Sequence, residues 1–512
     1  MMAIRLSRNA QISIRKRCFQ TRSEYEQWDH CMKASRIRTT HDKQSSQCLK
    51  QVSPRTAAPF LYSVSPISER LLLFAQSHDN DIEDDGSKSP NSSLLECIYP
   101  LSGTRHHADS KSDKNDIINT TDLDILRASV SDFGAYSSFR LAKFYSDVDA
   151  LTADVAYRHA SSSSNSEDIA FVTAGHYYSR KINRTKLSKD IILRCYPTLT
   201  GRSSMEIRTD ALQEDDSGTE KLINVCFTSM VAVDKQTLRP VKDAIPKLST
   251  HNDSNHSNED ERREQECLRM RAEMAGKHKK IRKKRFATSM LLRNGPSSSP
   301  PIQEEMAAIH LLHQRSIVDS NTNDIPLPHV RQYTYRSSEI VYPEKRNVHG
   351  KLFGGFVMEQ GHTLAQYAAD FYLNHANQQK PSNLDGDLDV AKGSKSTHQL
   401  RAIPLGLDEA IFLQPISIGD HVTFTARVVH STPRTCRVVV IVEVRNPSNR
   451  NSEPLRSNRL LFLFGGTDFP NGIVPNGYNE ILMHVDAKRR AAVEGPLDEE
   501  VDGILSQIQA FK

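Results

Sequence analysis

One order of local patterns occurs twice in this 512-residue chain, and that duplication limits its fold more than any other feature. In the first copy, residues 138–159 place Leu141, Phe144, Val148, Leu151 and Val155 at steps of three and four, the spacing of a helix with one apolar face. A polar loop, Ser161 to Asp168, follows. Then come strand-like runs at Ile169–Tyr178, Asp190–Thr200, Met205–Ala211 and Ile223–Val233, rich in β-branched and aromatic residues. The second copy has a helix at Phe353–Asn374, a polar insert from about Asn377 to His398, and runs at Leu405–Leu413, His421–Val429, Cys436–Val444 and Leu460–Phe464. Short strands at hairpin spacing predict antiparallel sheets, not βαβ units, so the fold class is α+β. A helix followed by such a sheet buries its apolar stripe best across the sheet's concave face.

The rest of the chain is polar. Apolar residues are 37% of the sequence, under the ~45–50% usual for globular chains, and mean hydropathy is −0.54. The expected organisation is a presequence and tail at 1–60, an irregular segment at 61–111, a first folded unit at 112–248, a charged linker at 249–327, a second unit at 328–490 and a tail at 491–512. The linker contains a basic run, Lys277 to Arg285, of a kind that can touch RNA or anionic lipid but is more commonly a solvated helix face. The formal charge is +5. The first 60 residues carry 12 Lys and Arg against 4 Asp and Glu, and the rest carry 55 against 58. The basic excess therefore belongs to the N-terminus, which argues against a surface built for nucleic acid. Residues 1–23 hold Arg5, Arg8, Arg15, Lys16, Arg17 and Arg22, with apolar residues interleaved and no acid, which reads as a mitochondrial presequence. No run approaches ~18 consecutive apolar residues, so no membrane-spanning helix is expected. The eight cysteines form no Cys-x-x-Cys pair and no zinc spacing, so neither a disulfide framework nor a metal site is expected.

Two motifs in the second copy carry a resemblance. The first is Asn347-Val348-His349-Gly350-Lys351-Leu352-Phe353-Gly354-Gly355. The second runs from Leu407-Asp408-Glu409-Ala410-Ile411-Phe412 through Pro415 to Gly419-Asp420. Both resemble the hot-dog acyl-CoA thioesterases. The first copy, with Ser146-Asp147-Val148-Asp149 and Gly201-Arg202-Ser203-Ser204-Met205-Glu206, resembles the first repeat of the mitochondrial acyl-CoA thioesterase 9-like family. The resemblance covers roughly 112–248 and 328–490. It implies a tandem double hot-dog acting as an intramolecular pseudo-dimer, with acyl-CoA as substrate, a mitochondrial matrix location and no cofactor or metal. Assembly into a homo-oligomer is left open.

Two glycines opening a helix let the backbone approach a ligand closely. The first helical N–H groups lack intrahelical partners and carry the positive end of the dipole. Gly354 and Gly355 are therefore suited to polarising a thioester carbonyl; the alternative is close packing of the helix against the sheet. The resemblance implies a site between two units, with an Asn from one and an acid from the other. Aligning the copies through Leu151 and Leu364 lays Asp149 over His362 and Asn347 over Gly134. One complete site then combines Asp149 with Asn347, and the reciprocal site is empty. Asp149 would act as general base or as nucleophile, and Asn347 would orient water or carbonyl. Asp147 should lie on another helix face and tolerate substitution. A register error of one turn would favour Asp154, and His362 and His349 are further candidate bases. Where the second copy has Phe-Gly-Gly, the first has Arg140-Leu141-Ala142-Lys143. Arg202, Ser203 and Ser204, at a turn, could hold a CoA phosphate, or the turn could be an ordinary hairpin. No Walker loop, Gly-x-Ser-x-Gly or His-Glu-x-x-His occurs. Competing readings are a non-catalytic acyl-CoA-binding or scaffold protein, a hot-dog hydratase and an RNA-associated protein.

Overall fold

The computed structural model describes residues 49–51, 72–76, 87–88, 93–99, 101–102, 127, 140–160, 169–183, 185–248, 280, 291–292, 295–296, 300–316, 327–347, 349–375, 400–448 and 453–494. The presequence-like residues 1–23, almost all of the basic run, the 377–398 insert and Gly134 lie outside them. In chain order the elements begin with β1 (Leu49–Gln51), β2 (Leu72–Gln76), β3 (Ser87–Lys88), β4 (Leu95–Tyr99), α1 (Leu141–Ala160), β5 (Ile169–Lys181), β6 (Ile191–Thr200), β7 (Ser204–Glu214) and β8 (Glu220–Asp234). After β9 (Lys247–Leu248), β10 (Leu291–Leu292), β11 (Gly295–Pro296) and α2 (Gln303–Arg315) come β12 (Thr334–Ile340), α3 (Gly354–Leu373), β13 (Ile403–Phe412), β14 (His421–Ser431), β15 (Thr435–Arg445), β16 (Leu455–Gly465) and α4 (Tyr478–Glu494).

The two long helices form where their spacing places them. Each has 20 residues, and they share one offset of 213 positions, Leu141 against Gly354 and Ala160 against Leu373. The strand orders also match. The first unit reads β4-β6-β7-β8-β5, and the second reads β12-β14-β15-β16-β13. Each is a five-stranded antiparallel sheet with its long helix inserted after the first strand, the double hot-dog of the expectation. The sheet of the first unit begins at Leu95, well before residue 112, and β12 opens the second sheet. Sequence spacing missed both opening strands because they are short, and because β12, Thr-Tyr-Arg-Ser-Ser-Glu-Ile, is a mostly solvated edge with no apolar alternation. The charged linker contributes α2, whose Ile309 packs on Leu482 and Val485 of α4. α4 itself runs four residues past 490. No helix among the described residues is long and apolar enough to cross a membrane.

The two units are joined edge to edge. β5 pairs antiparallel with β13 to give one 12-stranded sheet, with Gly406 opposite Arg180 and Gly175 opposite Ile411. α1 and α3 lie together against the sheet, and their apolar faces merge into a single core. Two glycines permit the seam. A Cβ on Gly175 would sit 2.5 Å from the Ala410 carbonyl oxygen, and one on Gly406 would overlap the Ser179 carbonyl oxygen.

A buried charge network also crosses the seam. Asp408 accepts from Arg180 of the first unit and from Arg437 at 2.9 Å. Glu409 holds Arg459 at 2.6 Å and Arg490 of α4 at 2.7 Å, and Asp486 closes the ring. Asp408 of the second motif therefore ties the seam, while Glu409 anchors α4 to the sheet of its own unit. At the motif's end Gly419 adopts φ +88°, and the Asp420 carboxylate accepts from the Ser417 N–H at 2.9 Å, which fixes the turn.

Candidate active site between the two helices

The N-terminus of α3 meets the middle of α1. The helix opens on Gly354 because the side chain of Asp149 occupies the space a Cβ would need: a Cβ on Gly354 would lie 2.7 Å from Asp149 Oδ2 and 3.0 Å from the Phe412 ring. A Cβ on Gly355 would strike the Ser146 carbonyl oxygen at 2.6 Å. Both glycines are thus close-packing residues, Gly354 against α1 and the Phe412 ring of β13, and Gly355 against α1. The first intrahelical bond runs from the Val357 N–H to the Phe353 carbonyl at 3.3 Å. The N–H groups of Gly354, Gly355 and Phe356 have no partner within the helix, and this positive end faces the Asp149 carboxylate.

Asp149 is 5% exposed, and its two oxygens have different surroundings. Oδ1 accepts from Thr173 Oγ1 at 2.8 Å and from His176 Nε2 at 3.1 Å. Oδ2 is the atom turned to Gly354. His176 is fully buried, and its Nδ1 lies 2.9 Å from Thr228 Oγ1 on β8. Sequence reasoning missed Thr173, His176 and Thr228. In a regular strand, residues three apart face opposite sides. A bulge between Thr173 and Gly175 adds one residue and turns both Thr173 and His176 toward α1. The available signal was Gly175 inside an otherwise strand-like run.

The other acids on α1 are placed elsewhere. Asp147 is 0% exposed, accepts from the Tyr99 hydroxyl of β4 and pairs with Lys143 Nζ at 2.8 Å. It ties α1 to the first strand of its own sheet, so its substitution bears on stability. Asp154 is also buried, more than a turn further along α1.

Asn347 shapes the loop that leads into α3. Its Oδ1 accepts from the His349 N–H at 2.9 Å and the Lys351 N–H at 3.0 Å. The loop docks on the first unit through His349, whose Nε2 lies 3.2 Å from the Phe171 carbonyl oxygen and 3.5 Å from Tyr157 Oη. Phe171 is two residues before Thr173 on β5, so the loop docks beside the end of β5 that carries Thr173. Burial lowers the pKa of His349, and its ring nitrogen serves the docking contact.

Mouse acyl-coenzyme A thioesterase 10, mitochondrial, is 25% identical over 366 residues, spanning 69% of this chain and 71% of the relative. Mouse acyl-coenzyme A thioesterase 9, mitochondrial, is 24% identical over 367 residues, with the same shares. Among solved structures, an acyl-ACP thioesterase from Bacteroides thetaiotaomicron aligns with a TM-score of 0.32 and 10% identity over 65% of this chain and 93% of that one. No protein-family model matches the chain. The chain is similar, at low identity, to the mitochondrial acyl-CoA thioesterases 9 and 10.

Within this thioesterase-like pair of units, the reciprocal position is closed. The common helix offset lays Leu141 on Gly354 and His362 on Asp149. Leu141 is buried, so it fills the place where the other helix leaves backbone bare. His362 is 3% exposed, lies among Tyr145, Phe462 and Phe464, and its Nε2 has no hydrogen-bond partner among the described residues. Burial pushes its pKa down to about 3, which removes it as a base at neutral pH. His159 and His484 are likewise lowered to about 4 by burial. Above the ordinary histidine value of about 6.5 these rings are neutral in both states. Below it the unfolded chain takes up protons that the fold refuses, so stability is complete above pH ~6.5 and falls as pH drops toward 4. His362→Phe should shrink the stability difference between pH 7 and pH 4.5 by roughly 2 kcal/mol. Urea unfolding at the two pH values measures this, and an unchanged difference would remove His362 from the account.

Arg202, Ser203 and Ser204 form the β6–β7 turn. Arg202 is exposed and pairs with Asp243 at 2.9 Å, and Ser203 accepts through its carbonyl from the Ala232 N–H at 2.8 Å. Ser204 is opposite Val231, which is opposite Val172. Two strand spacings put the turn about 10 Å across the sheet from the Thr173 end of β5.

Proposed function

We propose that this chain is an acyl-CoA thioesterase with one working site, between its two hot-dog units. The observation that carries the reading is the buried Asp149 carboxylate of one unit set against the bare glycine N-terminus of the other unit's helix. The thioester carbonyl oxygen accepts from the Gly354 and Gly355 N–H groups, which stabilise the oxyanion as it forms. Asp149 Oδ2 takes a proton from water, and the oxygen of that water bonds to the carbonyl carbon. Collapse of the tetrahedral intermediate breaks the C–S bond, and the CoA thiolate recovers the proton from Asp149. Asn347, its Oδ1 committed to the loop, offers Nδ2 to the water or the carbonyl. The CoA moiety extends toward the Gly201–Ser204 turn, where Arg202 and the two serines meet its phosphates.

The curated relatives are named as mitochondrial acyl-CoA thioesterases, and the acid-free basic N-terminus supports import into the matrix. A thiol-release assay on the full chain, across short to long acyl-CoAs, tests the reading. Release of CoA matched by free acid is expected for part of the series. Acyl-CoA binding without release would support the scaffold reading, and neither binding nor release would remove the site.

A further inference from the structure

We propose that His176 is the positioning residue of this site: backed by Thr228, it fixes the Asp149 carboxylate so that Oδ2 alone meets the reacting atoms. The role rests on the hydrolase reading above. His176 Nε2 lies 3.1 Å from Asp149 Oδ1, and Nδ1 lies 2.9 Å from Thr228 Oγ1. An ionised carboxylate only accepts, so Nε2 donates to it, and Nδ1 is held by the Thr228 hydroxyl. The groups facing the ring are Asp149 from α1, Thr228 and the Cys226 thiol from β8, and the Phe412 ring edge from β13. With Thr173, the imidazole occupies Oδ1 and leaves Oδ2 as the oxygen turned to the α3 N-terminus.

The second unit shows what a merely structural residue looks like in the same place. The seam pairing relates Gly175 to Gly406 and Arg180 to Ile411, so His176 falls on Leu407 and Thr173 on Pro404. His176 is opposite Thr228, and Leu407 is opposite Phe462. The polar series Asp149, Thr173, His176, Thr228 thus becomes His362, Pro404, Leu407, Phe462. All the polar partners are replaced in the unit that has no acid. Leu407 and Phe462 are fully buried, so packing at this position needs only apolar volume. A histidine bonded at both nitrogens beneath the acid answers to the acid.

His176→Leu reproduces the second unit, and His176→Gln retains an N–H donor. In steady-state assays of the full chain, His176→Leu should lose about 10- to 100-fold in kcat, as a slightly misplaced catalytic group does, with KM within about twofold. The acid limb of its kcat/KM profile should move to higher pH, because the ionised carboxylate has lost a donor. His176→Gln should recover most of kcat. Wild-type kcat and an unmoved acid limb in His176→Leu would overturn the proposal, as would equal loss in both variants. Nitrogen-15 histidine spectra separate this from the hydrolase reading. If the wild-type protein hydrolyses no acyl-CoA but the His176 Nε2–H signal shifts in Asp149→Asn, the substrate reading fails and the coupling stands. An unmoved signal overturns the coupling.

Discussion

Asp149→Asn should lower acyl-CoA turnover by about 10²- to 10⁴-fold, the range of a lost general base, while acyl-CoA binding and the fold persist. The amide keeps an acceptor for Thr173 and His176, but it puts an NH₂ group at the α3 N-terminus, where Oδ2 stood. The site then holds no base. Asp147→Asn supplies the contrast. It leaves Lys143 buried beside a neutral partner, with its side chain only 10% exposed, and breaking such a pair costs about 3 kcal/mol. Its effect should appear as a lower melting temperature, with turnover per folded molecule close to wild type. Thiol-release kinetics and thermal unfolding on both variants separate the roles. Full turnover in Asp149→Asn would remove this carboxylate from the mechanism, and loss of turnover in a well-folded Asp147→Asn would move the chemistry to the opposite face of α1.

Gly406→Ala should cost roughly 3 kcal/mol or more, at or beyond the upper end for overpacking. The added Cβ meets the backbone of Ser179, overlapping its carbonyl oxygen and lying 2.9 Å from its carbonyl carbon. Backbone cannot rotate aside as a flexible side chain can, so β5 and β13 must part. The seam also carries the Arg180–Asp408 ion pair and holds α1 beside α3, so turnover should fall together with stability. Gly477→Ala, where nothing lies within 4 Å, should change stability by less than about 0.5 kcal/mol. Equal melting temperatures for the two variants would show that the strands can separate at little cost.

Much of the architecture was legible because it is local and repeated. The three-and-four spacing located both long helices to within about three residues at each end, and the single offset between them laid Asp149 on His362, with Asp154 one turn away as the alternative. The opening strands were less legible, since β4 and β12 are defined by the neighbours they pair with more than by their own composition. Thr173 and His176 were hidden by the bulge beside Gly175. Without it they would point to opposite faces, and only pairing to β8 reveals the extra residue.

Residue order alone was enough for two helix-and-sheet units, the common offset between their helices, and the asymmetry of an acid-bearing helix facing a glycine-led one. These follow from side-chain period and residue identity, which each short segment carries alone. Tertiary structure decided the rest. It showed that Asp147 is bound to Tyr99 and Lys143, that Asp408 ties the seam while Glu409 anchors α4, and that Asp149 rests on His176, itself backed by Thr228. Those assignments depend on which partner lies within hydrogen-bond reach after strands far apart in the chain have paired, and no local period records that distance.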